Sequence, residues 1–225
     1  MTKPVQIFFF GDSVCVGQHV SVHSGWVTRV SADLAQLGGE HGFRVVVSNA
    51  SANGRTTREA LLRMPYEIQT KSPDILVVQF GMNDCNYWET DRGIPRVSPG
   101  AFAANLEEII VRAKHSGVSR VLLNTNHPTA RTEQHMPGTR MTYEESNRRY
   151  NELIRRTAAN VGDGVLVNDM ERAFDRWTAG GSANVRDLVL PEPDLLHLSE
   201  QGHDLYYKVT YPLLADLVVK IIQSR

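Results

Sequence analysis

A chain of 225 residues allows one domain of ordinary size, or at most two small ones. Apolar residues make up 41% and charged residues 22%, which excludes a disordered or membrane-embedded chain and leaves enough apolar surface for a core without a metal or disulfide staple. Lys and Arg number 24 against 25 Asp and Glu, a formal charge of -1, so the whole-domain basic footprint of a nucleic-acid binder is missing and no basic cluster suits an anionic membrane.

Continuous apolar runs alternate with amphipathic stretches along the chain. The run Val5-Gln6-Ile7-Phe8-Phe9-Phe10 predicts a buried strand, ended by Gly11. The uncharged stretch it opens is broken at Asp12, too short to span a bilayer, and carries no small-residue cleavage site, so the expected compartment is the cytoplasm. Residues 24–37 place Trp26, Val27, Val30, Leu34 and Leu37 at helical spacing, with Gly38-Gly39 as the predicted stop. A second strand follows over 43–47 and a second helix over 56–68. The third strand occupies 74–80 and the next helix 102–114, closed by Gly117. A fourth strand over 118–123, a long helix over 143–161, a short strand over 165–167 and a closing helix over 205–222, bent by Pro212, complete the series.

Strands that are apolar throughout, alternating with helices, predict a parallel sheet covered on both faces. Right-handed crossovers make it a three-layer α/β/α sandwich, and with no linker, repeat or composition break the chain reads as a single domain over 1–225. In open parallel sheets, sites assemble outside the carboxyl ends of the strands. The residues that follow Phe10, Val47, Phe80, Leu123 and Val167 therefore carry the functional reading, together with those before the last helix.

Four short blocks lie at those places. Gly11-Asp12-Ser13 holds a serine on a tight turn with its hydroxyl exposed, although a lone serine near a helix start is commonly a cap. Around Ser13 there is no Gly-x-Ser-x-Gly elbow, which disfavours an α/β-hydrolase. In 49–57, Gly54 removes a Cβ where a backbone N–H would approach a ligand. In Gly81-Met82-Asn83-Asp84, the Asn83 amide can donate into the same crevice, or simply end a strand in an Asx turn. In Asp194-Leu195-Leu196-His197, a carboxylate three residues before a histidine can accept from Nδ1–H and leave Nε2 free as a base. Each block alone is weak. Together they supply a nucleophile (Ser13), a base (His197), an orienting carboxylate (Asp194) and three oxyanion donors: the Ser13 and Gly54 N–H groups and the Asn83 amide.

With those blocks in that order, the sequence resembles the SGNH (GDSL) hydrolase family, whose signature residues Ser, Gly, Asn and His correspond to Ser13, Gly54, Asn83 and His197, with Asp194 beside the last. Gly25-Trp26 opening the first helix and Gly202 after the histidine extend the likeness over nearly the whole chain. Val14 stands where leucine is common and Met82 fills a variable position; neither touches a catalytic atom. The resemblance implies a flavodoxin-like fold with strand order 2-1-3-4-5. It also implies hydrolysis of esters or thioesters through an acyl-serine intermediate, with no cofactor and no metal.

The substrate is less legible. Asn86, Tyr87 and Trp88 after the third strand, and Asn126, His127, Arg131 and His135 after the fourth, suit a small polar or carbohydrate ester in an open cleft. Trp88 and His127 are the substrate-binding candidates, Trp88 as a sugar platform unless it packs over its own loop. His19 and His23 stand four apart but lack a third ligand for a metal. Arg148, Arg149, Arg155 and Arg156, interleaved with Glu144, Glu145 and Glu152, read as an ion-paired helix face and not as a nucleic-acid contact. Cys15 and Cys85 form no disulfide framework and would pair only if their loops met. The expected function is a short-chain esterase or deacetylase. An acyltransferase or thioesterase would use the same acyl-serine, and a binding module would keep the fold without the chemistry.

Overall fold

The computed structural model describes residues 3–181 and 183–225. Five strands, β1 (Val5–Gly11), β2 (Val45–Asn49), β3 (Ile75–Gln79), β4 (Arg120–Asn124) and β5 (Val165–Asn168), form one sheet in the order β2-β1-β3-β4-β5. Every pairing is parallel, with Phe9 opposite both Asn49 and Val77, and Val77 opposite Leu122. The two longest apolar runs are the central strands β1 and β3. Ile7, Phe9, Phe10, Ile75, Leu76 and Val77 are fully buried because helices cover both faces. The edge strands β2 and β5 are half-buried, which matches their weaker apolar signal.

The helices are α1 (Ser13–Val16), α2 (Trp26–Glu40), α3 (Thr57–Met64), α4 (Pro99–His115), α5 (Tyr143–Val161), α6 (Met170–Ala179), α7 (Val185–Leu188) and α8 (Glu200–Gln223). On one side α2 packs on α8; on the other, α3 packs on α4 and α4 on α5. The result is the three-layer arrangement expected from the alternation.

Several boundaries differ from expectation for identifiable reasons. Helix α2 runs through Gly38-Gly39 instead of stopping there. Gly38 is a close-approach residue: a Cβ would lie 2.5 Å from Val45 Cγ2 and 2.9 Å from the Phe43 carbonyl oxygen. Helix α8 starts at Glu200, five residues earlier than expected, because the Ser199 hydroxyl accepts from the Gly202 N–H at 3.2 Å, and it continues past Pro212. Helix α6 was not anticipated. Its start is set by the Asp169 side chain, which accepts from the Arg172 N–H at 3.2 Å, and it buries Met170, Ala173 and Phe174 along one stripe.

Candidate active site

Ser13 sits where β1 gives way to α1. Gly11 is obligatory there, since a Cβ would lie 2.7 Å from the Gln79 carbonyl oxygen on the neighbouring strand. Asp12 caps α1 by accepting from the Val14 N–H at 3.0 Å, and Gly17 closes the turn at φ 75°. The turn is clamped from two further elements. Trp26 Nε1 donates to the Val14 carbonyl (2.8 Å) and Asn49 Nδ2 to the Cys15 carbonyl (2.9 Å).

His197 lies in the segment between α7 and α8, and its Nε2 is 3.0 Å from Ser13 Oγ across 184 residues of sequence. Its Nδ1 is 2.7 Å from Asp194 Oδ2. A carboxylate only accepts, so Nδ1 carries the proton and the Nε2 lone pair faces the serine hydroxyl. Asp194 Oδ1 accepts from the N–H groups of Leu196 (2.9 Å) and His197 (2.6 Å). Burial alone would raise the Asp194 carboxyl, but the hydrogen bonds from the His197 ring and these two N–H groups outweigh it and hold the group below the usual carboxylate range. This set can take a proton from Ser13 and stabilise the imidazolium that results.

Hydrogen bonds tie the two other blocks to the Ser13 turn and to each other. Asn83 Nδ2 donates to Asp12 Oδ2 at 3.2 Å, which ties the third block to the nucleophile turn. Asp84 accepts from both the N–H (2.9 Å) and the hydroxyl (2.5 Å) of Thr57 at the start of α3, and so holds the Gly54 loop against the Asn83 segment. Gly54 has φ 73°, and an added Cβ would meet nothing within 4 Å. The glycine is required by its backbone conformation, not by crowding from the protein. Among the described residues, no turn, loop or cap hydrogen bond uses the Ser13 or Gly54 N–H. Burial pushes the Asp12 carboxyl up to about 7 and the Asp84 carboxyl up to about 6; the Val14 and Thr57 donors oppose these rises without cancelling them.

His127 does not line a cleft, contrary to expectation. It is fully buried, its Nε2–H donates to the Leu196 carbonyl at 2.9 Å, and its Nδ1 accepts from the Tyr206 hydroxyl at 3.0 Å. Asn147 and Asn151 on α5 pin the same loop through the His127 carbonyl and both main-chain groups of Asn126, so Asn126 and His127 are internal struts, whereas His135 further along the loop is exposed. His127 is therefore a support for the residue next to His197. Trp88 is exposed, but one face of its ring carries the Arg96 guanidinium at 4.5 Å. His19, at φ 73°, meets the His197 ring edge-on at 5.2 Å. Ligand atoms of His19, Asp194 and His197 lie within 4.8 Å of one another, but both Asp194 oxygens already accept hydrogen bonds that a cation would have to displace. Cys15 and Cys85 are unpaired and buried, and burial raises both thiols, so neither forms the reactive thiolate readily. Arg148 and Arg155 are engaged by Glu144, Glu152, Asp169, Glu171 and Asp175.

Burial drives His127 from 6.5 down to about 3, which gives a measurable acid sensitivity. The folded ring stays neutral where the unfolded one takes a proton, so its contribution to stability is complete above pH 6.5 and is lost as pH falls from there toward about 3. Asp12 and Asp84 act with the opposite sign: the stability they lend is present below about 3.8 and lost as pH rises through about 6 to 7. Comparing wild type with His127→Gln isolates the histidine. In a urea-unfolding series from pH 6.5 down to 4, the slope of stability against pH should change by up to one proton, about 1.4 kcal/mol per pH unit. Identical slopes would mean that the folded protein protonates His127 freely.

The chain is similar in sequence to curated esterases. An arylesterase from Vibrio mimicus is 28% identical over 123 residues, 55% of this chain and 56% of its own. The chain spans about half the length of the curated relatives it matches, esterase TesA from Pseudomonas aeruginosa among them. Among solved structures, the lipase/acylhydrolase from Enterococcus faecalis shares the fold with a TM-score of 0.72 at 23% identity, over 94% of this chain and 95% of that one. The acetylxylan esterase Axe2 from Geobacillus stearothermophilus shares it with a TM-score of 0.70 at 20% identity, over 91% of each chain. Residues 9–205 match the GDSL-like Lipase/Acylhydrolase family, a span that holds all four blocks and nearly the whole sheet, and the chain belongs to that family.

Proposed function

We propose that the protein is a serine carboxylester hydrolase that works through an acyl-serine intermediate. The observation that carries this reading is the continuous relay from Ser13 Oγ through His197 to Asp194, at 3.0 Å and 2.7 Å. His197 Nε2 takes the Ser13 proton as Oγ bonds to the carbonyl carbon. The Ser13 and Gly54 N–H groups and the Asn83 amide receive the oxyanion. Collapse breaks the bond to the alkoxy group, and His197 returns its proton to the departing alcohol. Water then repeats the two steps, bonding to the acyl carbon and releasing the acid and the free Ser13.

The substrate class within this reading is a short acyl group on a small polar or carbohydrate alcohol. Support comes from the exposed Trp88, which carries the Arg96 guanidinium that bonds Asn83, and from a fold neighbour named for acetylxylan. A cytoplasmic location belongs to the same reading, supported by two unpaired cysteines; no helix among the described residues is long and apolar enough to cross a membrane. A fluorophosphonate tests the chemistry directly. It should add one phosphonyl group, found on Ser13 by peptide mass spectrometry, while p-nitrophenyl acetate turnover falls in proportion to labelling. Labelling elsewhere, or full turnover in the labelled protein, would overturn the reading. An acyl panel from acetyl to palmitoyl on sugar and aryl alcohols then ranks substrates, and partitioning of the acyl-enzyme between water and an added sugar reports any acyltransferase activity.

A further inference from the structure

We propose that Arg96 is a positioning residue that assembles the oxyanion hole by joining its two halves. This rests on the acyl-serine reading above, in which Asn83 and Gly54 both face the developing oxyanion. The two come from different loops, after β3 and after β2, and neither loop alone sets their relative placement. Arg96 spans them. Its Nη1 donates to Asn83 Oδ1 at 3.2 Å and its Nη2 to the Gly54 carbonyl at 3.1 Å. Among the described residues no carboxylate stands within 4.0 Å of the guanidinium, so this arginine is committed to the two loops and not to an ion pair.

The arginine is itself held in place. Its N–H donates to the Asn86 carbonyl at 2.8 Å and the next N–H, of Val97, to the Asp84 carbonyl at 3.1 Å. A bridge between Tyr87 and Pro95 closes the same loop. The backbone of Arg96 is thus strapped to the segment that bears Asn83, and its side chain reaches from there to the Gly54 loop. The Trp88 ring centroid stands 4.5 Å from Cζ of the guanidinium and closes off that side of it, which limits where the two donors can point.

The consequence for Asn83 is a matter of which end of its amide faces the reaction. An amide is nearly symmetric in shape, and turning it by 180° would aim its oxygen, an acceptor, at the oxyanion. Arg96 donates to the oxygen and Asp12 accepts from the nitrogen, so the two contacts fix one orientation and leave the second Nδ2–H without a protein acceptor among the described residues. Asp12 alone gives a weaker hold, because burial brings its carboxyl up to about 7 and a protonated carboxyl can donate to the amide oxygen as well as accept from the nitrogen. At Gly54, the residue with the greatest backbone freedom, the same guanidinium anchors the carbonyl.

The test compares wild type with Arg96→Met and Arg96→Lys on p-nitrophenyl acetate, alongside inhibition by a phenylboronic acid, whose adduct on Ser13 places a hydroxyl where the oxyanion forms. With Arg96→Met, kcat should fall about 10- to 100-fold, KM should change little, and the boronate inhibition constant should rise by the same factor, since a single oxyanion donor is worth about 10²–10³. Lysine keeps the charge but cannot span both acceptors, so Arg96→Lys should still lose about fivefold or more in kcat. Wild-type kcat in either variant, a loss confined to KM, or an unchanged boronate constant would overturn the proposal. Should Arg96→Met fail to fold in a thermal melt, the lysine variant decides by the same criteria. Ser13→Ala in the same assay separates the two levels: if it stays active the acyl-serine reading fails, whereas an inactive Ser13→Ala beside a fully active Arg96→Met sinks only the role of Arg96.

Discussion

Alanine at Ser13 should lower kcat for p-nitrophenyl acetate by about 10⁴-fold or more, and adding His197→Ala to that variant should cost almost nothing further. The geometry dictates both halves of this result. The hydroxyl is a poor nucleophile until its proton leaves, and the group placed to take it is His197 Nε2 at 3.0 Å. Once either partner is gone the other has no step to assist, so the losses do not add. What survives in the variants is the binding and oxyanion stabilisation of the N–H donors, worth about 10³–10⁴ over water in comparable triads. Single-turnover rates for the two single variants and the double variant check the expectation. A double variant more than about tenfold slower than the weaker single one would show two independent contributions in place of one relay.

Ser13 and Asn83 were legible because both follow closely on a central strand, and the central strands are the plainest segments of the chain, whereas Asp194 and His197 stand just before the last helix. Val5–Phe10 and Ile75–Phe80 are apolar on both faces, so no helix period competes, and the turns that end them carry Ser13 and Asn83. The supporting residues were not legible. Arg96 acts on Asn83 and Gly54, 13 and 42 positions away, and Asp84 on Thr57, 27 away. No local period or motif marks such a pairing, because it exists only once separate loops meet. His127 shows the same limit as an error. In sequence it stands among polar residues and resembles a cleft histidine; in the fold, Asn147 and Asn151 draw its loop inward and its ring becomes a strut under Leu196. Gly38 fails as a helix stop for the opposite reason: the stop rule is local, whereas the cause of this glycine, the nearness of Val45, is tertiary.

Gly202 sets local preference and tertiary packing against each other with opposite signs. It lies in the first turn of α8, where helix propensity alone favours alanine by about 1 kcal/mol. Yet an added Cβ would fall 2.1 Å from the Leu188 carbonyl oxygen and 2.9 Å from Leu198 Cδ2, and the first of these is backbone that cannot rotate away. Relief requires α7 to move off α8. That movement strains the Ser199 N–H bond to the Leu188 carbonyl (3.1 Å) and the Leu190 N–H bond to the His197 carbonyl (2.7 Å), the contacts that seat the His197 segment. Overpacking of this kind costs about 1–3 kcal/mol, more than the propensity gain, so Gly202→Ala should lower the melting temperature by about 2–8 °C. Activity should fall further than stability explains at temperatures where the variant is still folded, because a displacement near 1 Å at His197 costs about 10²-fold. Thermal melts and kcat measured well below the transition check both effects. A variant as stable as wild type, or more so, would mean that α7 yields without cost and that the close approach of the two helices does not hold His197 in place.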